Sequence, residues 1–288
     1  MRLIAFDDNG AARLGVLQGE VVVDLSLAAP RLPADLRGLL RGGADAFAAA
    51  AEAARTAKAE TVRPIAALRF RPPIENAEKI ICLGLNYVDH AAEGGHAKPV
   101  YPSLFLRCAS SLVAHGEPMW RPKVSPHLDY EAELVAVVGR TARHVRTADA
   151  LGYIAGYACF NDGSVRDYQR KTSQWTIGKN FDRTGGFGPA FVTADELPPG
   201  AAGLSIQSRL NGKVMQDADT SDMLFPVAET VALLSECLTL EPGDLLVMGT
   251  PAGVGYARKP PVWMQPGDTI EVAIEGVGLL RNPITDEP

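Results

Sequence analysis

Two glutamates stand two positions apart at the start of an apolar segment. The segment spans residues 129–139 (DYEAELVAVVG), in which Glu131 and Glu133 precede a run of small and β-branched residues. Alternate side chains of a β-strand share a face, so both carboxylates point the same way, and Asp129 joins them if the strand begins that early. Like charges this close repel each other unless a cation or a proton intervenes. The pattern indicates either a cation site or a solvated strand end with two surface glutamates.

A third carboxylate follows another apolar segment. Residues 153–161 (YIAGYACFN) lead directly into Asp162, which stands where a strand passes into a loop. If this strand neighbours the first, Asp162 joins Glu131 and Glu133. Three carboxylates without His or Cys suit a hard cation, Mg²⁺ or Mn²⁺ with Ca²⁺ also possible, and disfavour Zn²⁺. Taken alone, Asp162 also fits a local turn with Gly163.

A histidine and a glutamate follow the predicted strand KIICLGL. His90 and Glu93 are three residues apart, so one helical turn places them side by side. A carboxylate beside an imidazole raises its basicity and fixes its tautomer, which a general base requires. Gly94 and Gly95 beyond the pair indicate a lid, and His96 is interpreted as a lid residue.

Two further segments offer groups that suit an anionic substrate. Lys179 follows a glycine among apolar residues, and beside a carboxylate cluster it would act as counter-charge and oxyanion donor, although a lone lysine is more often a surface residue. Gly249 and Thr250 open a Gly-rich turn after an apolar strand, where amides and a hydroxyl can bind a carboxylate. Arg107 and Gln174 are interpreted as pocket residues that help to determine the substrate.

The elements that must position these groups are mainly strands. Beyond residue 80, short apolar runs alternate with Gly, Pro and Asp, and the predicted strands include SLFLR, ELVAVVG, YIAGYACF, GLSIQSRLNG, DLLVMGT and TIEVAIEGVGLL. A helix is predicted over residues 226–238 and a shorter one over 147–151. Regular βα alternation and the glycine-rich nucleotide loops are absent from the sequence, which disfavours doubly wound sheets and TIM barrels. The expected fold class is α+β and β-rich.

The first part of the chain has a different pattern. RLIAF and LGVLQGEVVVDL are predicted strands, an Ala-rich helix is predicted over residues 44–60, and FRPPIENAEK is interpreted as a linker. We therefore expect a small N-terminal domain over residues 1–72 and a catalytic domain over residues 73–288.

Composition excludes several classes of protein. The 288 residues carry a net charge of -6, which is unsuited to nucleic-acid binding. The sequence has no apolar run of about 20 residues that could span a bilayer and no signal-peptide pattern at its start. Its four cysteines are far apart, which argues against a disulfide framework or a zinc ribbon and favours a cytoplasmic protein whose cysteines are buried packing residues.

Together these segments resemble the fumarylacetoacetate hydrolase family. The resemblance is carried, in the order found in the family, by GLNYVDHAAE, LDYEAELVAVVG, YIAGYACFNDGSVRDYQ, QWTIGKNFD, the Gly-Pro pair at 188–189, LNGKVMQDADTSDM and MGTPAGVG. It implies a catalytic domain with a mixed β-roll or flattened β-sandwich fold, a divalent metal and, usually, a homodimer. By this resemblance the residues with expected roles are Glu131, Glu133 and Asp162 as metal ligands, His90 and Glu93 as lid dyad, Lys179 beside the metal, and Gly249 and Thr250 in the loop that receives the keto-acid end.

The resemblance also implies a reaction. The expected activity is metal-dependent hydrolysis of a C–C bond in a 2,4-dioxo acid of the acylpyruvate or fumarylpyruvate type, giving a pyruvate-type keto acid and a carboxylic acid. The same site would also suit decarboxylation of oxaloacetate or isomerisation of 2-hydroxyhepta-2,4-diene-1,7-dioate, and a non-catalytic metal-binding scaffold is the alternative of another class. The stretch over residues 166–174 is longer than in many short members, and Gly163 replaces a commonly β-branched residue. These departures leave the substrate open.

Overall fold

The computed structural model describes residues 1–93 and 99–288, apart from the side chains of residues 90–92. In these ranges the chain is rich in strands, and its helices are few and short. The strands are β1 (Arg2–Asp8), β2 (Ala11–Gln18), β3 (Val21–Asp24), β4 (Val62–Pro64), β5 (Arg69–Arg71), β6 (Ile80–Gly84), β7 (Ser103–Leu106), β8 (Leu112–Ala114), β9 (Met119–Arg121), β10 (Leu128–Asp129), β11 (Ala132–Val138), β12 (Ile154–Asp162), β13 (Ser164–Val165), β14 (Gly185–Thr193), β15 (Ser205–Leu210), β16 (Lys213–Asp219), β17 (Leu245–Val247), β18 (Thr269–Ile274) and β19 (Gly278–Asp286). The helices are α1 (Leu25–Ala28), α2 (Leu36–Arg41), α3 (Gly43–Arg55), α4 (Val88–Glu93), α5 (Arg166–Gln169), α6 (Thr176–Lys179) and α7 (Val227–Cys237).

One large mixed sheet forms the centre of the molecule. Its strand order is β4-β3-β2-β1-β14-β12-β11-β17-β6-β7, with β5 added beside β1 and β8 beside β14. Strands β11 and β12 are antiparallel neighbours, and Ala132 lies opposite Asn161. The end of β12 therefore lies beside the start of β11, where the N–H of Asp162 donates to the carbonyl oxygen of Glu131 at 2.9 Å.

Two apolar cores lie on opposite faces of this sheet. On one face the central strands pack against α7 and a second sheet of order β16-β15-β18-β19-β9, and on the other face they pack against α1, α2 and α3. Strand β11 is buried on both faces: Leu134 and Ala136 lie in the first core, and Val135 and Val137 in the second. The alternation read from the sequence is confirmed, and burial of this strand rules out a solvated strand end.

The expected fold class is confirmed, while several element boundaries differ from expectation. The helix expected over residues 226–238 is α7, but the Ala-rich helix ends at Arg55. Residues 147–153 form a 3₁₀ helix. The segment TIEVAIEGVGLL is not one strand, because the chain reverses at Gly276 (φ +70°) and returns as β19, which pairs with β18. A positive φ is readily adopted by glycine, so this reversal has a local cause.

The N-terminal strands continue the central sheet. Strand β1 pairs with β14, with Leu3 opposite Phe191, and also with β5. A division of the chain at residues 72 and 73 stays a prediction. The expectation that all four cysteines are buried is wrong for Cys108 and Cys237, which are exposed; Cys108 directly precedes a 3₁₀ turn, and Cys237 is the last residue of α7. Among the described helices, none is long and apolar enough to cross a membrane.

Candidate active site

Three carboxylates from the two central strands converge. Glu131 immediately precedes β11, Glu133 is the second residue of β11, and Asp162 is the last residue of β12. One oxygen from each lies within 4.8 Å of the others, and all three residues are buried. The antiparallel register, which places the start of β11 beside the end of β12, is what brings them together.

The cluster requires positive charge. Burial, together with the charges of Asp162 and Glu131, raises the pKa of Glu133 well above its ordinary value. The N–H of Gly249 donates to Oε2 of Glu133 at 2.6 Å and opposes this shift. Carboxylate oxygens this close, without nitrogen or sulfur donors among the three, fit a hard divalent cation such as Mg²⁺ or Mn²⁺.

Lys179 supplies one fixed positive charge. Its Nζ lies 2.6 Å from Oδ2 of Asp162 and 2.7 Å from Oε2 of Glu131, and the side chain is buried. Burial by itself lowers the pKa of Lys179, but the charges of the two carboxylates outweigh it and the pKa lies above its ordinary value. Lys179 is therefore a cation and a hydrogen-bond donor, not a base.

A close packing of two short helices places Lys179. It is the last residue of α6, and a Cβ on the preceding Gly178 would stand 2.3 Å from the backbone nitrogen of Gln169, where α5 ends. Real Cβ atoms do not come that close, so glycine is required for α6 to approach α5. The motif WTIGK thus contributes both the lysine and the small residue that lets it reach the cluster.

Arg107 lies behind Asp162. Its guanidinium ion-pairs with Oδ1 of Asp162 and donates to Ser111 and Thr184, at 3.1 Å and 3.0 Å. The side chain of Arg107 is fully buried. A Cβ at residue 185 would stand only 2.8 Å from Nη2 of Arg107, so the glycine there leaves room for the guanidinium. These contacts support a positioning role for Arg107 toward Asp162, and direct contact with substrate stays a prediction.

Arg166 pairs with the other side of the cluster. Its Nη2 lies 2.6 Å from Oε1 of Glu131, and its Nε donates to Oδ2 of Asp129 at 2.8 Å. Asp129 also accepts the N–H groups of Gly255 and Tyr256, at 2.7 Å and 3.0 Å. Asp129 therefore does not extend the three-carboxylate cluster; it belongs to β10 and holds Arg166 and the loop after β17 in place.

The loop after β17 reaches the cluster through Gly249 and Thr250. Gly249 has φ +88°, and a Cβ there would stand 2.7 Å from Cβ of Asn86, so glycine suits the position on both counts. Thr250 Oγ1 donates to the carbonyl of Ala132 at 2.9 Å and accepts from Gln216 at 2.7 Å. Because the Gly249 amide is committed to Glu133, substrate binding by Gly249 and Thr250 stays a prediction.

A cavity of about 370 Å³ opens onto the cluster, a size that suits a small ligand. Its lining residues are Leu83, Gly84, Leu85, Phe105, Glu131, Glu133, Arg166, Gln169, Arg170, Thr172, Trp175, Lys179, Thr250 and Tyr256. Arg107 and Gln174 are not among them; Gln174 is exposed, and its N–H donates to Thr172. A role for Gln174 in substrate binding stays a prediction.

The proposed dyad is described only in part. Glu93 ends α4, and both of its carboxylate oxygens lie 3.1 Å from the amide nitrogen of Gly253, which donates to them. This contact joins α4 to the loop after β17. The side chain of His90 lies outside the described residues, as do Gly94, Gly95 and His96, so the dyad and the lid stay predictions.

The sequence interpretation missed several cavity residues. Arg166, Gln169 and Arg170 lie four, seven and eight positions after Asp162, in the stretch treated as a departure from the family. Their mutual spacing of three and four residues is that of one helix face, which was the available signal. Phe105, Trp175 and Tyr256 carry no such local pattern.

Comparison with known proteins now identifies the family. The family model described as Fumarylacetoacetate (FAA) hydrolase C-terminal matches residues 79–285. The chain belongs to this family. The fumarylacetoacetate hydrolase likeness stated from the sequence motifs is therefore confirmed, and with it the fold expected for the catalytic part.

Individual family members are similar along almost the whole chain. The oxaloacetate tautomerase fahd2, mitochondrial, of Xenopus laevis is 38% identical over 99% of this chain and 90% of its own length. A fumarylacetoacetate hydrolase structure from Exiguobacterium antarcticum has a TM-score of 0.85 at 33% identity, with full coverage of both chains. Maleylpyruvate hydrolase from Sphingobium sp. SYK-6, solved with manganese(II) and pyruvate, has a TM-score of 0.82 at 29% identity, again with full coverage of both.

Proposed function

We propose that this chain is a divalent-metal-dependent enzyme that interconverts the enol and keto forms of oxaloacetate or a closely similar 2-oxo dicarboxylate. The observation that carries the proposal is the buried cluster of Glu131, Glu133 and Asp162 facing a small cavity beside the cation Lys179. The choice of reaction is supported by the similarity, over almost the full length, to a protein named as an oxaloacetate tautomerase.

The three carboxylates are proposed to hold Mg²⁺ or Mn²⁺, with Ca²⁺ as a further possibility. A bound divalent ion would supply Lewis-acid stabilisation of the negative charge that develops on the 2-oxo oxygen. The manganese in a similar maleylpyruvate hydrolase structure supports this assignment. A bound cation would offset the burial and the acidic neighbours that raise the pKa of Glu133.

The residues of the chain have separate tasks in this proposal. Lys179, held as a cation between Asp162 and Glu131, donates a hydrogen bond to the developing oxyanion. His90 is proposed to remove the enol hydroxyl proton, with Glu93 as its expected partner, and a proton is delivered to C3, so the keto form results with no atom gained or lost. Phe105 and Trp175, whose rings meet edge to face at 5.9 Å, shield this exchange from bulk water.

Hydrolysis of a C–C bond, the reaction expected from the sequence, is the second candidate. A water activated by His90 would add to a distal carbonyl, the C–C bond would break toward the enolate, and C3 would then take a proton. Similarity to maleylpyruvate hydrolase favours this reaction. A distal carboxylate, as in oxaloacetate, is a poor electrophile, so the two candidates require different substrates.

One assay separates these reactions. Enol-oxaloacetate is diluted into enzyme with Mn²⁺, and three quantities are followed: the loss of enol absorbance, the formation of pyruvate and the formation of CO₂. Acylpyruvates are tested in parallel. We expect the enzyme to accelerate enol loss without forming a matching amount of pyruvate. EDTA and Glu133→Gln should abolish this acceleration. Glu229→Gln, which changes an exposed glutamate of α7, should not. Cleavage of acylpyruvates without any effect on enol-oxaloacetate would replace the proposal with hydrolysis, and pyruvate formed at the rate of enol loss would replace it with decarboxylation.

We also propose that the chain forms a homodimer. Strand β7 is at the edge of the central sheet, and its alternate residues Leu104 and Leu106 are exposed, as is Ile177 of α6. An apolar sheet edge exposed to water favours association. Sedimentation of the wild type should give a dimer and of Leu106→Glu a monomer; a monomeric wild type would contradict the proposal. A cytoplasmic location stays a prediction.

A further inference from the structure

Arg170 differs from the other cations that line the cavity. Lys179 and Arg166 each ion-pair with Glu131, whereas Arg170 makes no ion pair with any described residue. Its side chain is exposed, and its guanidinium carbon lies 4.2 Å from the centre of the Tyr256 ring. The cavity thus has, at its exposed edge, a guanidinium whose hydrogen-bond donors are not used by any carboxylate in residues 1–93 and 99–288.

The position of Arg170 is fixed from two sides. Its N–H donates to the carbonyl of Arg166 at 3.2 Å, which continues the turn of α5. The backbone N–H of Tyr256 donates to Asp129 at 3.0 Å, which holds the backbone of this residue in place. The guanidinium carbon of Arg166 also lies over the Tyr256 ring, 4.7 Å from its centre. A stacked guanidinium keeps its edge of N–H donors free, in a fork that matches a carboxylate.

The charges around the cavity favour a second negative group on the ligand. Among the described residues at and directly behind the cavity wall, four buried carboxylates face three buried cations, and these groups are Asp129, Glu131, Glu133 and Asp162 with Arg107, Arg166 and Lys179. A divalent cation in the cluster would reverse the single net negative charge, and Arg170 adds another positive charge. A dianion neutralises this excess, whereas a monoanion leaves a positive charge uncompensated.

We propose that Arg170, stacked on Tyr256, determines specificity by binding the second carboxylate of a 2-oxo dicarboxylate whose 2-oxo acid end lies at the carboxylate cluster. This inference rests on the proposed function and deepens it, because it predicts that a dicarboxylate binds more tightly than a 2-oxo acid with a neutral tail. The cavity, at about 370 Å³, has room for a four- or five-carbon acid between the two positions.

Matched ligands and matched variants test the proposal. 2-Oxoglutarate and 2-oxopentanoate differ only in a terminal carboxylate against a methyl group, and their binding is measured by calorimetry with Mn²⁺ at constant ionic strength. The variants are Arg170→Gln, Arg170→Lys and the control Lys171→Gln. Lys171 is the adjacent exposed cation, but it contacts the ring of Tyr168 and does not line the cavity.

The proposal predicts a distinct pattern of results. Arg170→Gln should weaken binding of 2-oxoglutarate about tenfold, the loss of one charge-assisted hydrogen-bonded contact, while 2-oxopentanoate binding changes by less than about twofold. The affinity of Arg170→Lys for 2-oxoglutarate should lie between those of wild type and Arg170→Gln, because lysine keeps the positive charge but not the stacked, forked guanidinium. KM for enol-oxaloacetate should rise about tenfold in Arg170→Gln, and Lys171→Gln should retain the wild-type ratio of the two affinities.

Two failures can be told apart. In the first, wild type binds 2-oxoglutarate and converts enol-oxaloacetate, but Arg170→Gln does not act selectively. It either changes the ratio of the two affinities no more than Lys171→Gln does, or weakens binding of both ligands alike. The role of Arg170 is then refuted, and the proposed function stands. If wild type with Mn²⁺ binds neither ligand and leaves enol-oxaloacetate unchanged, the proposed function fails and this inference fails with it.

Discussion

Nζ of Lys179 lies 2.6 Å from Oδ2 of Asp162, in a position buried from solvent. The same atom lies 2.7 Å from Glu131, so one ammonium group holds two of the three proposed ligands together. Lys179 and a divalent ion would therefore neutralise the same carboxylates. Without Lys179, the folded state should gain more stability from the ion.

Lys179→Met tests this sharing of charge. Breaking a buried ion pair from one side costs about 3 kcal/mol, so the metal-free variant should unfold at a lower temperature than wild type. Mn²⁺ should then raise its Tm by more than it raises that of wild type. Thermal unfolding in EDTA and in Mn²⁺ measures both effects, with Lys171→Met as the exposed control. An identical Mn²⁺-induced shift in variant and wild type would show that the lysine and the ion act independently.

Gly249→Ala tests the backbone contact to Glu133. A Cβ at residue 249 would stand 2.7 Å from Asn86 and 3.0 Å from the carbonyl of Leu83, so the loop must move and its amide must leave Glu133. We expect Mn²⁺ affinity to fall at least about tenfold, as is typical when a contact that orients a ligand is lost. Gly212→Ala is the control, since Gly212 also has a positive φ (+79°) but no atom within 4 Å of its Cβ position.

The control separates backbone strain from loss of the contact. Gly212→Ala should lower stability by about 1 kcal/mol and leave Mn²⁺ affinity unchanged. Equal Mn²⁺ affinities in the two variants, measured by calorimetry, would remove Gly249 from the set of residues that orient the cluster.

His90→Ala tests the proposed proton carrier. Loss of a general base typically costs about 10²–10⁴-fold in rate, so turnover should fall by that amount while Mn²⁺ affinity stays close to that of wild type. Glu93→Gln should have a smaller effect in the same direction if, as proposed, the Glu93 carboxylate orients the imidazole. Wild-type turnover in His90→Ala on a verified substrate would refute the assignment.

His115 should make stability depend on pH. Burial and the charge of Arg281 lower the pKa of His115, and its Nδ1 accepts the N–H of Arg281 at 3.1 Å, a bond that protonation would abolish. Because the unfolded chain then binds the proton more readily, stability is complete above the unfolded pKa of about 6.5 and falls as the pH drops toward the folded pKa.

Asparagine offers a matched replacement that does not titrate. His115→Asn keeps an acceptor for the Arg281 amide, so its free energy of unfolding in urea should fall less than that of wild type between about pH 7.5 and about pH 5.5. A difference of the order of 0.5 kcal/mol is expected for this half-buried group. Parallel pH profiles for the two proteins would exclude His115 as a source of the acid sensitivity.

The convergence of the three carboxylates could be read from the sequence because it depends on local rules. The alternation of an extended chain predicted that Glu131 and Glu133 share a face, and the apolar strand that ends at Asp162 proved to be the neighbour of β11. Asp129 shows the limit of that reasoning. Its partners Gly255 and Tyr256 are more than 120 positions away, and no local pattern indicates that they meet.

The remaining differences have the same origin. Arg107 reaches Asp162 across 55 positions, and β1 joins β14 from the opposite part of the chain, so neither contact follows from local periodicity. The reversal at Gly276 was missed because the apolar alternation of β18 resumes directly in β19. Arg166 and Arg170 were missed as well, although their separation of four residues is the spacing of one helix face.

The central claim is that Glu131, Glu133 and Asp162 together bind one divalent ion. Anomalous diffraction at the manganese edge, from crystals grown with Mn²⁺, measures this directly. We expect a single peak in the cluster with one oxygen of each carboxylate at about 2.0–2.6 Å, the range for hard cations, and no such peak in Glu133→Gln. A manganese peak elsewhere, or one bound by fewer than all three carboxylates, would contradict the claim.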